Sequence, residues 1–195
     1  MPRAPTPAEL EKLEAIFALA GCPVPAALDG WPARLDVICA EYEEAWPDAH
    51  LVEFRVDAVV TVFDLTAERA VCVYGVSTPP AAARDTARMA GFPDVNVGWR
   101  RSGRTRVAAD KGHFLAHGSG GGLDANLFPQ ARDLNRGWSQ QGKVYRSMER
   151  TAAAQRGTFV YHRAIYADAT WVPRELEYGL LRPDGTWWLE RFSNA

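Results

Sequence analysis

The segment from Val107 to Arg150 contains the residues of this chain whose types and spacing are suited to chemistry. His113 ends the run Asp110-Lys111-Gly112-His113, Asn126 and Asn135 follow nine positions apart, and Glu149 lies further on in a helical pattern. A histidine can take a proton from water, and an amide oxygen can hold a hard cation. This combination is suited to the metal-assisted cleavage of phosphodiesters.

The order of these residues resembles that of the DNA/RNA non-specific endonucleases, a branch of the ββα-metal (His-Me finger) nucleases. The signature of that family is D-R-G-H, then N-x-x-P-Q, then L-N-x-G, then W and E. The corresponding segments here are Asp110–His113, Asn126–Gln130, Leu134–Gly137 and Glu149, with weaker resemblance through Pro173–Gly179 and Arg191–Asn194. The resemblance implies an α+β fold with a ββα-metal core, a mostly antiparallel sheet and an N-terminal helical unit outside the motifs.

The resemblance also implies a role for each matching residue. His113 corresponds to the general base that deprotonates the attacking water. Asn135 corresponds to the asparagine that holds Mg²⁺, or Mn²⁺ in its place, with water filling most of the octahedron. Asn126 corresponds to a supporting asparagine of the catalytic site, and Glu149 to the helix glutamate that orients water. The implied activity is hydrolysis of DNA, RNA or both with little sequence preference.

Two departures from the family pattern concern the phosphate and the metal. Lys111 stands where most relatives have arginine, which keeps the charge but loses the bidentate fork. Asn135 and Glu149 are 14 residues apart, and a continuous helix of that length would separate them by roughly 21 Å. Gly137 and Gly142 must therefore interrupt the helix if both residues are to serve one site.

The charge of the chain is divided unevenly between its two halves. Residues 1–96 carry 7 Lys and Arg against 15 Asp and Glu, whereas residues 97–195 carry 15 against 9. The basic half contains the motifs, where attraction to phosphate is useful, although an ordinary solvated surface is the alternative interpretation. Lys111, Arg104 and Arg136 are the candidate substrate-binding residues. The cluster Arg100–Arg106 is either a solvated loop or a phosphate-facing one.

Composition argues against several other classes of protein. No run approaches the roughly 18 apolar residues of a membrane helix, and the first residues lack the apolar region of a secretory signal. Cys22, Cys39 and Cys72 lie far apart, which favours buried free thiols in a reducing compartment. The expected location is the cytoplasm, or a target cell reached without a signal peptide.

The biological setting follows from the resemblance alone. Domains of this family are often toxin cargo in bacterial competition, so the resemblance implies a toxin or effector domain with a nucleic-acid substrate and an immunity protein as partner. The alternative is a non-catalytic module that keeps a nuclease fold to bind nucleic acid or a protein partner.

Hydrophobic periodicity divides the chain into an acidic helical unit, residues 1–48, and a nuclease-like domain, residues 49–195. His117 is interpreted as a structural histidine, and the glycine run after it as a turn. The predicted elements are helices at about 7–20, 32–46 and 81–90, a hairpin over 51–76, a strand carrying His113, a helix to about 155, a strand at 158–166 and a hairpin over 176–192.

Overall fold

A computed structural model describes residues 3–80, 83, 85–91, 94–104 and 108–194. The helices in these ranges are α1 (Pro7–Ala20), α2 (Trp31–Ala45), α3 (Thr86–Gly91), α4 (Val95–Arg101), α5 (Arg132–Arg136) and α6 (Gln140–Ala154). The strands are β1 (Leu51–Val56), β2 (Val59–Asp64), β3 (Arg69–Val76), β4 (Ala109–His113), β5 (Leu127–Ala131), β6 (Phe159–Ile165), β7 (Glu175–Leu181) and β8 (Trp187–Ser193). None of the described helices is long and apolar enough to span a bilayer.

Six strands form one sheet in the order β1-β2-β3-β6-β7-β8, in which every neighbouring pair is antiparallel. β4 and β5 form a separate antiparallel ribbon. The prediction of an α+β fold with a mostly antiparallel sheet is confirmed. β3 is buried along its whole length, as its nearly continuous apolar sequence indicates for a strand covered on both faces.

Two apolar cores lie on the two faces of the large sheet. Consecutive strand residues alternate between the cores, so that Val160 contributes to one and Tyr161 to the other. α1 and α2 cover one face, and α6 with the β4–β5 ribbon covers the opposite one. The acidic helices therefore pack against the sheet as expected, while the division at residue 48 into two domains stays a prediction.

The first β region is a three-stranded meander, whereas the periodicity predicts a two-stranded hairpin. Asp57 adopts a left-handed conformation with φ 51°, which a short polar side chain tolerates, and it turns the chain between β1 and β2. β1 is consequently an edge strand. Phe54 and Val56, expected on a half-buried face, are 40% and 61% exposed.

The arginine cluster 100–106 begins in a helix and continues as the predicted turn over residues 102–104. Arg100 and Arg101 end α4, whose first turn is capped by the Asp94 carboxylate, which accepts from the Asn96 amide at 2.9 Å. Thr105 and Arg106 lie outside the described residues. So do positions 81, 82 and 84 of the helix predicted over 81–90, which is described from 86 to 91.

The helix expected after Asn135 is broken once, close to its start. Gly137 ends α5 in a left-handed conformation with φ 73°, which favours glycine. Ser139 then begins α6 by accepting a hydrogen bond from the Gly142 amide at 3.0 Å. The interruption that Asn135 and Glu149 require is therefore present at Gly137. The second interruption, expected at Gly142, is wrong, because Gly142 lies inside the first turn of α6.

Gly142 allows α6 to approach α5 closely. A Cβ atom at this position would lie 2.4 Å from the Asp133 carbonyl oxygen and 3.0 Å from both the Gly137 Cα and the Leu134 carbonyl oxygen. All three are backbone atoms, which cannot rotate away as a side chain would. The two helices can pack at this distance only with glycine at position 142.

Gly142→Ala should therefore destabilise the fold by about 1–3 kcal/mol, the usual cost of overpacking. Denaturant unfolding followed by circular dichroism measures the change. Gly122→Ala is the matched control, because an added Cβ meets no atom within 4 Å there, and it should stay within about 0.5 kcal/mol of wild type. Equal stability of the two variants would contradict the close approach.

Candidate functional site

A cleft of about 550 Å³ lies between the end of β4, the helix α5 and one face of α6. It is open to solvent and its lining is mostly polar. The described lining residues are Lys111, His113, Ala116, His117, Gly118, Asn135, Arg136, Arg146, Glu149, Arg150 and Ala153.

The cleft brings together five of the seven site residues that the sequence predicts. They come from three different elements: Lys111 and His113 from β4, Asn135 and Arg136 from α5, and Glu149 from α6. The break at Gly137 is what allows α5 and α6 to contribute to one cleft. The two predicted residues outside the described lining are Asn126 and Arg104.

His113 ends β4 and is 9% exposed. Its carbonyl oxygen accepts from the Tyr145 hydroxyl at 3.4 Å, and the same hydroxyl lies 3.3 Å from His162 Nε2. Burial raises the pKa of Tyr145 and lowers that of His162 to about 3, so both are neutral at pH 7. A neutral buried pair therefore holds the backbone of His113 against α6.

Asp110, which directly precedes Lys111 in β4, is the charged residue that ties α5 to β4. Its carboxylate accepts from Arg136 Nε at 2.6 Å, Arg132 Nε at 2.9 Å and Asn135 Nδ2 at 3.3 Å. Burial alone would raise the pKa of Asp110, but these hydrogen bonds outweigh it and lower the pKa below its ordinary value of 3.8. The carboxylate is therefore ionised at neutral pH.

The contact with Asp110 also orients the side-chain amide of Asn135. A carboxylate accepts hydrogen bonds and cannot donate them, so it selects the NH₂ group of the amide. The carbonyl oxygen Oδ1 is left as the group that Asn135 offers to the cleft. This is the ligand atom that a hard cation requires.

Glu149 lies on the face of α6 that lines the cleft, together with Arg146, Arg150 and Ala153. These positions are three or four residues apart, which places them on one side of a helix. The Glu149 side chain is 13% exposed and accepts from Arg146 Nη1 at 2.9 Å. The carboxylate is thus held at the wall of the cleft beside a cation.

Lys111 lines the cleft, and its ammonium group is held close to α3. Nζ donates to the carbonyl oxygens of Met89 at 2.5 Å and Ala90 at 3.5 Å. Both of these acceptors are neutral backbone carbonyls. Lys111 therefore adds positive potential to the cleft from a fixed position.

Asn126 is a buried clamp for the loop that leaves His113. Its Oδ1 accepts from the Leu115 amide at 2.8 Å, while Nδ2 donates to the carbonyl oxygens of Leu115 at 2.9 Å and Gly122 at 2.8 Å. All three hydrogen bonds join the side-chain amide of Asn126 to backbone groups of the loop. They are the contacts of a residue that holds the 115–122 loop in place, and a direct catalytic role for Asn126 stays a prediction.

Arg104 packs away from the cleft. Nη1 donates to the carbonyl oxygens of Pro173 at 2.9 Å and Val172 at 3.4 Å, and the guanidinium carbon lies 5.3 Å from the ring of Trp99. Burial lowers the pKa of Arg104, although arginine remains charged at neutral pH. These contacts stabilise the 172–173 segment, and a substrate-binding role for Arg104 stays a prediction.

Three cleft residues were not found from the sequence. Arg146 and Arg150 had a usable signal, because they flank Glu149 at helical spacing. His117 was interpreted as structural, and it begins a 3₁₀ turn, after the strand has ended at His113, that also lines the cleft.

The charges that line the cleft are four cations and one carboxylate. Counting the histidines as neutral, the surface favours an anion with several oxygen atoms, such as phosphate. Fixed cations at a concave surface also strengthen attraction, since the field is concentrated there.

The donors in the cleft suit Mg²⁺ better than a structural zinc ion. The described residues contain no group of three or more His, Cys, Asp or Glu side chains that could hold a metal ion, as a structural zinc site requires. Mg²⁺ keeps several waters and needs only one or two protein oxygens. The Asn135 amide oxygen and the Glu149 carboxylate, both at the cleft wall, meet that requirement.

No protein-family model matches the chain, and no curated protein sequence matches it either. Among solved structures it is similar to EndoG in the EndoG/EndoGI complex, with 16% identity, a TM-score of 0.45 and coverage of 73% of this chain and 74% of the other. It is also similar to Sda1 nuclease with a bound zinc ion, with 16% identity, a TM-score of 0.44 and coverage of 75% and 84%. A nuclease is therefore among the structures that this chain resembles.

Asp110→Asn tests the arrangement of the cleft, because it keeps the shape of the side chain but removes its charge. The amide can no longer accept from both arginines and Asn135 at once. Activity on nucleic acid, or affinity for a divalent cation, should fall by about 10- to 100-fold, as for other residues that orient ligands.

Asp133→Asn on α5 is the matched control for Asp110→Asn. The Asp133 side chain accepts from the Leu134 amide at 2.9 Å and is absent from the described cleft lining. Its replacement should leave both measurements near wild type. An equal loss in the two variants would mean that Asp110 has no special role.

Proposed function

We propose that this protein is a metal-dependent endonuclease that hydrolyses phosphodiester bonds in DNA, RNA or both with little sequence preference. One observation carries the proposal: His113, Asn135 and Glu149, which are far apart in sequence, line one cationic cleft. A base, an amide oxygen and a carboxylate among cations are the groups that metal-assisted phosphodiester hydrolysis uses.

The same arrangement supports assigning the β4–β5 ribbon with α5 and α6 as a ββα-metal (His-Me finger) core. The ribbon supplies the base at the end of its first strand, and the helices supply the oxygen ligands. The six-stranded sheet and the remaining helices form the support on which this unit packs.

His113 acts in this proposal as the general base that takes a proton from the attacking water. A neutral imidazole suits this step at pH 7, since one ring nitrogen can accept a proton. Tyr145 contacts the carbonyl of His113 and Asn126 holds the backbone of Leu115, so the imidazole is presented from a fixed strand end. Preorganisation of this kind keeps the base in line with the substrate.

Asn135 and Glu149 would hold Mg²⁺, or Mn²⁺ in its place, with Asp110 orienting the amide of Asn135. The bound ion supplies stabilisation of the charge that develops on the phosphate and on the leaving oxygen. Arg146 keeps the Glu149 carboxylate at the cleft wall. These residues leave most of the coordination shell to water, as Mg²⁺ prefers.

Lys111, Arg136, Arg146 and Arg150 attract and hold the phosphate backbone. Contacts to phosphate carry no sequence information, which agrees with cleavage that has little sequence preference. Arg136 is fixed by two hydrogen bonds to Asp110, and the neighbouring cations lie on helix and strand backbones. Affinity should accordingly fall as salt is raised.

A role as a toxin or effector, neutralised by an immunity protein, is part of the proposal and comes from the sequence resemblance alone. An inhibitor of this activity would have to cover the cationic cleft, and an acidic surface is suited to that purpose. Digestion of plasmid and total RNA with Mg²⁺ and with EDTA separates the enzyme from a non-catalytic module that only binds.

His113→Ala should lower the rate of plasmid and RNA digestion in Mg²⁺ by at least about 100-fold, because it removes the general base. His50→Ala changes an exposed histidine and is the control. Thermal unfolding confirms that both variants fold. Digestion by His113→Ala at a rate close to wild type would rule out His113 as the base.

Asn135→Ala should weaken the response to the metal, so that activity at low Mg²⁺ falls by about 10- to 100-fold and recovers partly with more Mg²⁺ or with Mn²⁺. Calorimetric titration with Mn²⁺ reads the loss of affinity directly. Gln140→Ala, an exposed position at the start of α6, is the control. Unchanged metal affinity in Asn135→Ala would place the metal on other residues.

A further inference from the structure

Trp138 is the most exposed aromatic side chain among the described residues, at 64%. It lies in the short connection between α5 and α6, two residues after Arg136. The guanidinium carbon of Arg136, which lines the cleft, is 5.1 Å from the centre of the Trp138 ring. An aromatic surface is therefore in contact with one of the cations proposed to hold phosphate.

The position of Trp138 is fixed by its neighbours. Its backbone amide donates to the Asp133 carbonyl at 2.8 Å, the left-handed Gly137 precedes it, and Ser139 caps α6 directly after it. Arg136, which contacts one side of the ring, is itself held by Asp110 through Nε at 2.6 Å and Nη2 at 3.2 Å. The backbone that carries the indole is therefore held in place before a ligand binds, which lowers the ordering cost of stacking.

The surroundings of Trp138 restrict the kind of ligand that fits. The adjacent cleft is lined by four cations, Lys111, Arg136, Arg146 and Arg150. An apolar protein surface is therefore a poor match for this region. A nucleotide carries both required parts, an anionic phosphate and a planar aromatic base. Base stacking on an aromatic side chain is also tolerant of sequence, because every base has a π-face.

We propose that Trp138 is a stacking platform for an unstacked nucleobase and that the cleft consequently favours single-stranded over double-stranded nucleic acid. This inference rests on the proposed nuclease function and specifies its substrate. In a duplex the bases stack on each other and their faces are covered, so only a single strand or a frayed end can place a base on Trp138. Arg136 holds the neighbouring phosphate in the same contact.

The test is a binding measurement that does not depend on catalysis. Fluorescence anisotropy in EDTA compares three short labelled probes: a single-stranded oligonucleotide, an abasic strand of the same length and a duplex. Trp138→Ala should weaken binding of the base-bearing single strand by about 5- to 150-fold, the usual effect of losing one stacked base. Binding of the abasic strand and of the duplex should change by less than about 3-fold.

Two further variants separate stacking from other causes. Trp138→Phe keeps an aromatic face and should retain most of the affinity, whereas Trp138→Leu keeps apolar bulk without the face and should not. Phe54→Ala removes an exposed aromatic side chain on the edge strand β1. Phe54 is absent from the described cleft lining, so this variant should bind all three probes as wild type does. Thermal unfolding checks that each variant folds.

The outcomes distinguish this inference from the proposed function. If wild type cuts nucleic acid but Trp138→Ala binds the single strand as wild type does, the platform is wrong and the nuclease proposal stands. An equal loss for all three probes would also overturn stacking, because the abasic strand offers no base. If wild type binds none of the probes and cuts nothing, both proposals fail together.

Discussion

A single carboxylate, that of Asp110, fixes the geometry on which the cleft depends. It lies on β4 and accepts hydrogen bonds from Arg132, Asn135 and Arg136 of α5, so it joins two elements that carry different parts of the site. Burial of a carboxylate is costly, but charge-assisted hydrogen bonds from two guanidinium groups offset the cost and keep it ionised. Without this charge the two arginines would repel each other. The Asn135 amide would also lose the acceptor that orients its oxygen toward the cleft.

The second constraint is the close packing of α6 against α5. α5 and α6 belong to one stretch of chain, and a straight helix through both would carry Glu149 far from Asn135. Gly137 reverses the direction with a left-handed residue, and Gly142 lets the backbone of α6 contact that of α5. Both glycines are required for the path of the backbone and take no part in the chemistry. They nevertheless determine whether the carboxylate of Glu149 and the amide of Asn135 line the same cleft.

The sequence allowed most of the elements to be predicted, because these depend on local signals, and five of its seven candidate site residues line one cleft. Periodicity and the Pro183-Asp184-Gly185 turn placed β7 and β8, and motif order placed His113 and Asn135. Other features depend on tertiary structure. The turn at Asp57 has no glycine to mark it, and Arg104 contacts the segment 172–173, which is distant in sequence and whose position no local pattern reports. His117 and Arg150 enter the cleft only because α6 packs beside β4.

The net negative charge of the chain does not oppose binding of phosphate at the cleft, because the fold separates the charges. The acidic helices α1 and α2 pack on one face of the sheet, and the cleft is built on the opposite face. Ion pairs also tie acidic residues to cations within the acidic side, as between Lys12 and Glu53 at 2.5 Å and between Arg163 and Glu41 at 2.5 Å. A phosphate that approaches the cleft therefore meets the local cations, whereas the acidic helices lie on the other side of the sheet.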